Sequence, residues 1–222
     1  MKIVKTFLSL LIALSFAAQS FSQSSLDERQ KSFIKLRAAQ KTAQMNEYIA
    51  YMVDEGYPTS TRKDYMNAAK DLFMGRAEYY DAEGYSKISN MQVTSVSRPT
   101  PRTYPVKNYF ESLVGLITRG VYDCAKINAT DVMDMQVSNL RHLYDNVYEC
   151  TVAYVQVFCG YKDHKPWYCD RTKKNIKAKV WIIPDGDGGY EIAVFLDDCH
   201  ATETKKITES QFNDGGLLIP DR

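Results

Sequence analysis

The segment from Phe158 to Trp181, FCGYKDHKPWYCDRTKKNIKAKVW, decides the fold because it contains the tip of a long β-hairpin. β-Branched and aromatic residues alternate with polar ones on both sides of the tip, which is typical of strands with one buried face. A turn centred on His164 places Cys159 opposite Cys169, and directly opposed residues on one face lie within disulfide range. The sequence therefore predicts a hairpin closed by a Cys159–Cys169 disulfide, with a free or differently paired cysteine as the alternative.

The same register separates an apolar face of the hairpin from a polar one. The apolar pairs are Tyr148–Val180, Cys150–Ala178 and Val152–Ile176. On the polar face Glu149 lies opposite Lys179, an opposite-charge pair that suits solvent. A second turn, centred on Asp187, continues the apolar face into a third strand. Its apolar pairs are Val180–Val194, Ala178–Leu196 and Ile182–Ile192. We expect an antiparallel meander of long strands.

The chain before this meander has helical spacing instead. A first helix is predicted from Ser25 to Met52, and it ends because Gly56 and Pro58 follow. A second helix is predicted from residues 60–61 to near Gly84, packed against the first. These helices are expected to form an antiparallel pair.

Between this pair and the meander the pattern is mixed. A weak strand is predicted for Lys87–Val96, and the prolines of SRPTPRTYP, residues 97–105, argue against regular pairing. A third helix is predicted for Val106–Thr118. Residues 121–143 fit either a helix or a long bulged strand, and the turn residues at Leu143–Asn146 favour the strand.

The chain start predicts export. Lys2 and Lys5 precede a mostly apolar run over residues 7–18 and then small residues, so residues 1–22 have the pattern of a secretory signal peptide. The run is too short to span a bilayer. No cysteine precedes Cys124, which argues against a lipoprotein. We expect a soluble periplasmic or secreted protein with no integral membrane segment after cleavage.

Composition limits the classes of partner. The chain has 28 Lys and Arg against 27 Asp and Glu, and loss of Lys2 and Lys5 leaves a net charge of −1. A nearly neutral chain gives no electrostatic reason to expect nucleic-acid binding. Five cysteines in an exported chain allow disulfides, and the odd number leaves at least one outside an internal pair.

Three groups of metal-binding residue types occur, and each has a simpler structural explanation. The tip cysteines and His164 have loose spacing for a metal site. DGDGG, residues 185–189, lacks the closing Glu of a calcium loop and suits a tight turn. DDCH, residues 197–200, lies on a strand, where alternation sends neighbours to opposite faces. We predict no metal site and no cofactor.

The order of elements resembles a known family. VKNYFESLVGL (106–116), followed by YECTVAYVQVFCGY (148–161), TKKNIKAKVWI (172–182) and VFLDDCHATET (194–204), is similar to exported NTF2-like domains of Bacteroidetes-type bacteria. The resemblance implies an α+β cone with a curved antiparallel meander sheet. Such domains include isomerases, dehydratases and epoxide hydrolases that work inside the cone, and many non-catalytic modules. The predicted organisation is a signal peptide (1–22), a helical pair (23–84), the NTF2-like domain (85–204) and a C-terminal tail (205–222).

One candidate cavity site follows from the register. Over residues 148–154, 176–182 and 190–198, the predicted apolar face carries a single carboxylate, Asp198. Tyr148, Tyr154 and Tyr190 are its candidate hydrogen-bond partners. A buried carboxyl beside tyrosines suits proton abstraction next to a carbonyl. The alternative is that Asp198 lies in water and the tyrosines only pack. No catalytic residue is assigned.

The outer face of the sheet provides a candidate interface. Its predicted residues are Val155, Val157, Trp181, Ile183 and Phe195. An apolar patch with two large aromatic residues favours a homodimer or a protein partner, unless the N-terminal helices or the tail Gly215–Pro220 cover it.

Two functions therefore remain open. The sequence favours an exported, non-catalytic binding or assembly domain that acts through protein–protein contacts. The alternative is a small-molecule-binding protein or an isomerase- or dehydratase-like enzyme. The lining of the cone separates them, because convergent polar groups favour a ligand and a filled apolar cone favours assembly.

Overall fold

The computed structural model describes residues 26–96, 98–185 and 189–214. Of these, residues 26–31 belong to one compact unit and residues 32–214 to a second, which contains the sheets. The predicted signal peptide, the turn centre Asp187 and the tail Gly215–Pro220 lie outside the described residues. Within the described part of the chain, no helix has the length and apolar character needed to cross a membrane.

The elements follow the predicted order. The helices are α1 (Glu28–Val53), α2 (Thr59–Lys70), α3 (Val106–Thr118) and α4 (Glu209–Asn213), with 3-10 turns at Met74–Ala77 and Val132–Asp134. The strands are β1 (Glu78–Tyr80), β2 (Ser86–Ile88), β3 (Asn90–Ser95), β4 (Arg98–Pro105), β5 (Cys124–Ala129), β6 (Gln136–Val137), β7 (Arg141–Tyr144), β8 (Val147–Lys162), β9 (Lys165–Pro184) and β10 (Tyr190–Lys206). The fold class is therefore confirmed as α+β, with helices followed by a curved, mainly antiparallel sheet.

Helix α1 begins at a reciprocal pair of caps. The backbone N–H of Asp27 donates to the side chain of Gln30 at 2.8 Å, and the N–H of Gln30 donates to Asp27 Oδ1 at 2.7 Å. This capping box satisfies backbone donors that a helix start leaves open. It lies two residues after the predicted start at Ser25.

The second helix is shorter than predicted. We expected it to reach Gly84, but α2 ends at Lys70. Phe73 then forms a parallel bridge with Leu196, and residues 75–77 all have positive φ values of 54°, 62° and 75°. A helix cannot continue through three left-handed residues, so the chain turns into the small β1–β2 hairpin.

The proline segment forms a strand, contrary to the prediction. β4 pairs antiparallel with β3, for example Met91 with Tyr104, and it is the end member of the main sheet. Proline is tolerated on an edge strand because the N–H that it lacks would face away from the neighbouring strand. α3 follows β4 directly and has the predicted bounds.

The strand interpretation of residues 121–143 is confirmed. β5, β6 and β7 all pair antiparallel with β8. The segment forms separate short strands rather than one long bulged strand. The 3-10 turn at Val132–Asp134 interrupts it.

The long meander has the predicted register from Tyr148 to Gly160, and at the tip the pairing shifts by one residue, so that Lys162 lies opposite Lys165 rather than Pro166. β8 pairs Val152 with Ile176 and Cys159 with Cys169, and the two sulfur atoms of this last pair form a disulfide. The pairing of β9 with β10 is likewise as predicted from Ile182 to Ala178. The main sheet has the order β4-β3-β10-β9-β8-β5, and the β3–β10 pair is parallel, so the sheet is mixed.

A bulge in β10 changes the predicted faces beyond Leu196. The pairing shifts between Leu196 and Cys199, and Cys199 lies opposite Ile176. Cys199 and Asp197 are buried, whereas Asp198 is half-buried and accepts a hydrogen bond from the N–H of Asn90 at 2.9 Å. The prediction that Asp198 lies on the core face was wrong, because a bulge adds one residue and shifts the alternation.

The two carboxylates of this bulge attach the N-terminal half of the domain to the sheet. Asp197 accepts hydrogen bonds from Ser89 Oγ at 2.7 Å and from the Tyr79 hydroxyl at 2.9 Å, and it pairs with Lys179 at 3.1 Å. Burial alone would lower the pKa of Lys179, but the bond to Tyr79 and the charge of Asp197 outweigh it and raise that pKa. A buried carboxylate with this many partners serves the structure.

Candidate ligand cavity

A cavity of about 560 Å³ lies between α3 and the inner face of the sheet. Its apolar lining includes Val93, Leu113, Leu116, Ile127 and Phe158. Its polar lining includes Gln156, Tyr168, Asp170, Thr172 and Lys174. Trp167, at the hairpin tip, is 69% exposed and marks the solvent end.

The polar lining follows from the register of β9. Alternate residues of a strand share a face, so Tyr168, Asp170, Thr172 and Lys174 point to the same side of the sheet, and we call these four residues the polar ladder. They cover roughly 20 Å at about 3.3 Å per residue. On β8, Gln156 lies opposite Thr172. The sheet therefore presents a row of hydrogen-bonding groups to the cavity.

Asp170 is a buried carboxyl with a specific partner. The Tyr168 hydroxyl donates to its Oδ2 at 2.7 Å and lies 3.0 Å from Ser95 Oγ. Burial raises the pKa of Asp170, although the Tyr168 bond and the Lys174 charge oppose this effect. Burial is also the main cause that raises the pKa of Tyr168 to about 12. Asp170 can therefore hold or exchange a proton at a higher pH than an ordinary aspartate.

Lys174 occupies the inner end of the ladder. The residue is only 5% exposed, and Nζ lies 5.7 Å from the centroid of the buried Tyr109 ring. It makes no hydrogen bond or ion pair with any residue that the structure describes. Opposite Lys174 on β8 is the buried Tyr154, whose hydroxyl lies 3.6 Å from Cys199 Sγ. Lys174 is thus a buried ammonium group that faces the cavity.

Gln156 connects the cavity wall to the first helix. Its Nε2 donates to Asn46 Oδ1 at 2.8 Å, and Asn46 Nδ2 donates to the carbonyl of Thr42 at 2.9 Å. Gln156, Asn46 and Thr42 are buried. This chain of hydrogen bonds fixes the Gln156 side chain at the edge of the cavity.

Gly160 lets an aromatic side chain close one wall. A Cβ atom at Gly160 would lie 2.5 Å from Tyr122 Cε1, closer than real contacts allow. The Tyr122 ring lies 5.6 Å from that of Phe158, centroid to centroid, and both line the cavity. Glycine is required here because the ring lies directly on the strand.

The structure does not bring the predicted cavity residues together. Tyr148 packs against His142 with ring centroids 5.1 Å apart, and Tyr190 is exposed at the far end of the hairpin. Tyr154 is buried and borders the ladder opposite Lys174. Asp198 lies in the bulge, away from the lining.

The ladder was missed although a sequence signal for it exists. The predicted core face ends at Tyr154 on β8 and at Ile176 on β9. Continued by two residues at a time, the same alternation reaches Gln156 on β8 and Lys174 and Asp170 on β9. Charged residues at core-facing positions indicate an open cavity, because a filled core would leave them buried without water.

The predicted interface residues are divided between covered and open parts of the outer face. Val157 is fully buried in a cluster with Ile207 and Phe212 from the C-terminal segment, and Val155 packs against this cluster. Placing Val157 on an open surface was therefore wrong. Trp181 and Phe195 are half-buried with ring centroids 5.8 Å apart, edge to face. Ile183, beyond them, is 46% exposed.

No three His, Cys, Asp or Glu side chains within residues 26–96, 98–185 and 189–214 are grouped as metal ligands. The charged side chains in the lining of the cavity are Asp170 and Lys174.

Comparisons with known proteins give two similar solved structures. One is a protein from Novosphingobium aromaticivorans DSM 12444 named as a candidate scytalone dehydratase, with 11% identity and a TM-score of 0.36 over 80% of this chain and 91% of that chain. The other is the Kfla4162 protein from Kribbella flavida, with 10% identity and a TM-score of 0.36 over 81% and 95% of the two chains. No family model and no curated protein matches the sequence. At these scores the likeness says nothing about function.

Proposed function

We propose that this protein binds a small organic molecule in the cavity between α3 and the sheet. The supporting observation is the polar ladder, four inward-facing polar side chains along one wall of a cavity whose apolar lining includes Leu113, Leu116 and Phe158. A volume of about 560 Å³ is within the range of small-molecule sites. An apolar cavity with a few convergent polar groups is the usual form of such a site.

The same site suits an isomerase- or dehydratase-like reaction. Asp170, with a pKa raised by burial, would remove a proton next to a carbonyl, and Tyr168 would hold the carboxyl in position. This is the chemistry predicted for Asp198, at a different carboxylate. Proton transfer by Asp170 requires that the small molecule first binds in the cavity.

The test of binding uses 2-naphthol as a probe and backbone amide chemical shifts as the readout. We expect shifts that are concentrated in residues 168–174 and along α3. Leu116→Trp, which fills the cavity from α3, should remove them. Leu36→Trp is the matched control, because Leu36 is an exposed leucine of α1 outside the lining. Shifts elsewhere, or shifts that persist in Leu116→Trp, would contradict the proposal.

Assembly through the outer face is a second candidate function. It is favoured by the exposed Ile183, which lies beside the Trp181–Phe195 pair. These residues lie outside the part of the outer face where Phe212 of α4 covers Val157. A protein partner or a second copy of the chain would cover these apolar side chains. Light scattering across a concentration series tests self-association.

We also infer that the protein acts outside the cytoplasm. The Cys159–Cys169 disulfide supports an oxidising compartment, in agreement with the signal-peptide pattern of residues 1–22. N-terminal sequencing of the mature protein should begin at Gln23.

A further inference from the structure

We propose that the ligand of this cavity carries a carboxylate, which binds to Lys174. This inference rests on the proposed function, and it adds the chemical class of the ligand. Its starting point is the buried position of Lys174 at the inner end of the polar ladder. Burying an ammonium group without a partner is costly, so such a group is normally paired. The described residues provide Lys174 with no hydrogen bond or ion pair.

The acidic group of the cavity does not take this role. Asp170 lies four residues from Lys174 on the same strand face, about 13 Å along the backbone. Its carboxylate is bound by the Tyr168 hydroxyl instead. No ion pair joins Asp170 to Lys174 among the contacts of the described residues. The ammonium group is therefore available to a ligand.

The surroundings of Lys174 favour a single negative charge. The Tyr109 ring, 5.7 Å from Nζ, is the side wall. Thr172, one step along the ladder, has its Oγ1 3.0 Å from Thr204 Oγ1, so it can donate to a ligand while it accepts from Thr204. One lysine and one hydroxyl match the two oxygens of a carboxylate. A phosphate or sulfate dianion would need more donors, and Asp170 would repel its two charges about twice as strongly as the single charge of a carboxylate. Leu113 and Phe158 then face the apolar body of the ligand.

The test compares 2-naphthoate with 2-naphthamide, which has nearly the same shape and no charge. Amide-shift titrations of the wild-type protein should give a dissociation constant about tenfold lower, or better, for the carboxylate, the range of a charge-assisted hydrogen bond. Lys174→Met should remove this preference. Lys177→Met is the matched control, because Lys177 lies on the same strand with its side chain on the other face, opposite Thr151.

The outcomes separate this inference from the proposed function. Equal affinities for the two probes, with shifts at residues 168–174, would support a ligand cavity and overturn the carboxylate inference. Shifts at those residues with neither probe would overturn both. The comparison of probes on the wild-type protein decides the question even if Lys174→Met fails to fold. A preference that persists in a folded Lys174→Met variant would also overturn it.

Discussion

Loss of the disulfide is expected to lower the free energy of unfolding by about 2.7 kcal/mol. The two cysteines are 10 residues apart, and the chain-entropy relation for a loop of that size gives roughly 9 cal/mol/K, or about 2.7 kcal/mol at 25 °C. For a domain of about 200 residues this corresponds to a decrease in Tm of roughly 5–10 °C. Cys169 lies between Tyr168 and Asp170, so the local effect should fall on the polar ladder.

The assay is urea unfolding of the oxidised and the reduced wild-type protein, together with Cys159→Ala/Cys169→Ala. Reduction removes the link and keeps the sulfur atoms, so it isolates the loop contribution from packing. The double variant should lose somewhat more stability, because both side chains are buried, and it should not respond to reductant. Cys124→Ala controls for the loss of a free thiol. Equal stabilities for the oxidised and reduced protein would refute the reasoning, as would peptide maps that join either cysteine to a different one.

Three further predictions concern the cavity and the outer face. Asp170→Asn should raise stability at pH 7. The pKa of Asp170 is raised in the folded state, so its stabilising contribution is full only below about pH 3.8 and is lost as pH rises through the folded-state pKa. Urea unfolding at a series of pH values should show the difference in stability between the variant and the wild type disappearing in acid. Gly160→Ala should displace Tyr122 and weaken 2-naphthol binding severalfold, measured by amide-shift titration. Its effect on Tm should be smaller than that of losing the disulfide. Trp181→Glu should abolish any self-association seen by light scattering and leave the circular dichroism spectrum unchanged.

Each of these has a distinct contrary result. An Asp170→Asn variant that is less stable than the wild type at pH 7 would mean that the ionised carboxylate of Asp170 stabilises the folded protein. Unchanged probe affinity in Gly160→Ala would mean that Tyr122 is not a wall of the binding site. A wild-type protein that stays monomeric at high concentration and captures no partner would remove the interface around Trp181.

The register of the meander was predictable because its signal is cumulative. A shift of one residue would reverse the faces of every pair between Tyr148 and Ile182, so the alternation and the Cys159–Cys169 pair select one solution. The bounds of α3 were equally accessible, since Pro105 precedes its first turn and its apolar stripe is regular.

The remaining differences come from features without a local sequence signal. The turn that follows α2 has left-handed backbone at Arg76 and Ala77, for which these two side chains give no signal in the sequence. The bulge after Leu196 places one extra residue among polar and apolar residues that alternate normally in the sequence. The cavity depends on the separation of α3 from the sheet, and a sequence pattern gives the faces of elements but not the distance between them.

The bulge after Leu196 gives β10 a tolerance for changes in length that its regularly paired segment from Tyr190 to Leu196 lacks. Three steps along β10, from Leu196 to Cys199, match two steps along β9, from Ala178 to Ile176. Deletion of one residue here would leave every later pair in place, so the cavity would keep its lining. The deletion would instead remove one of the two carboxylates that bind Tyr79, Ser89 and Asn90, and the first half of the domain would detach more easily while the meander stayed intact.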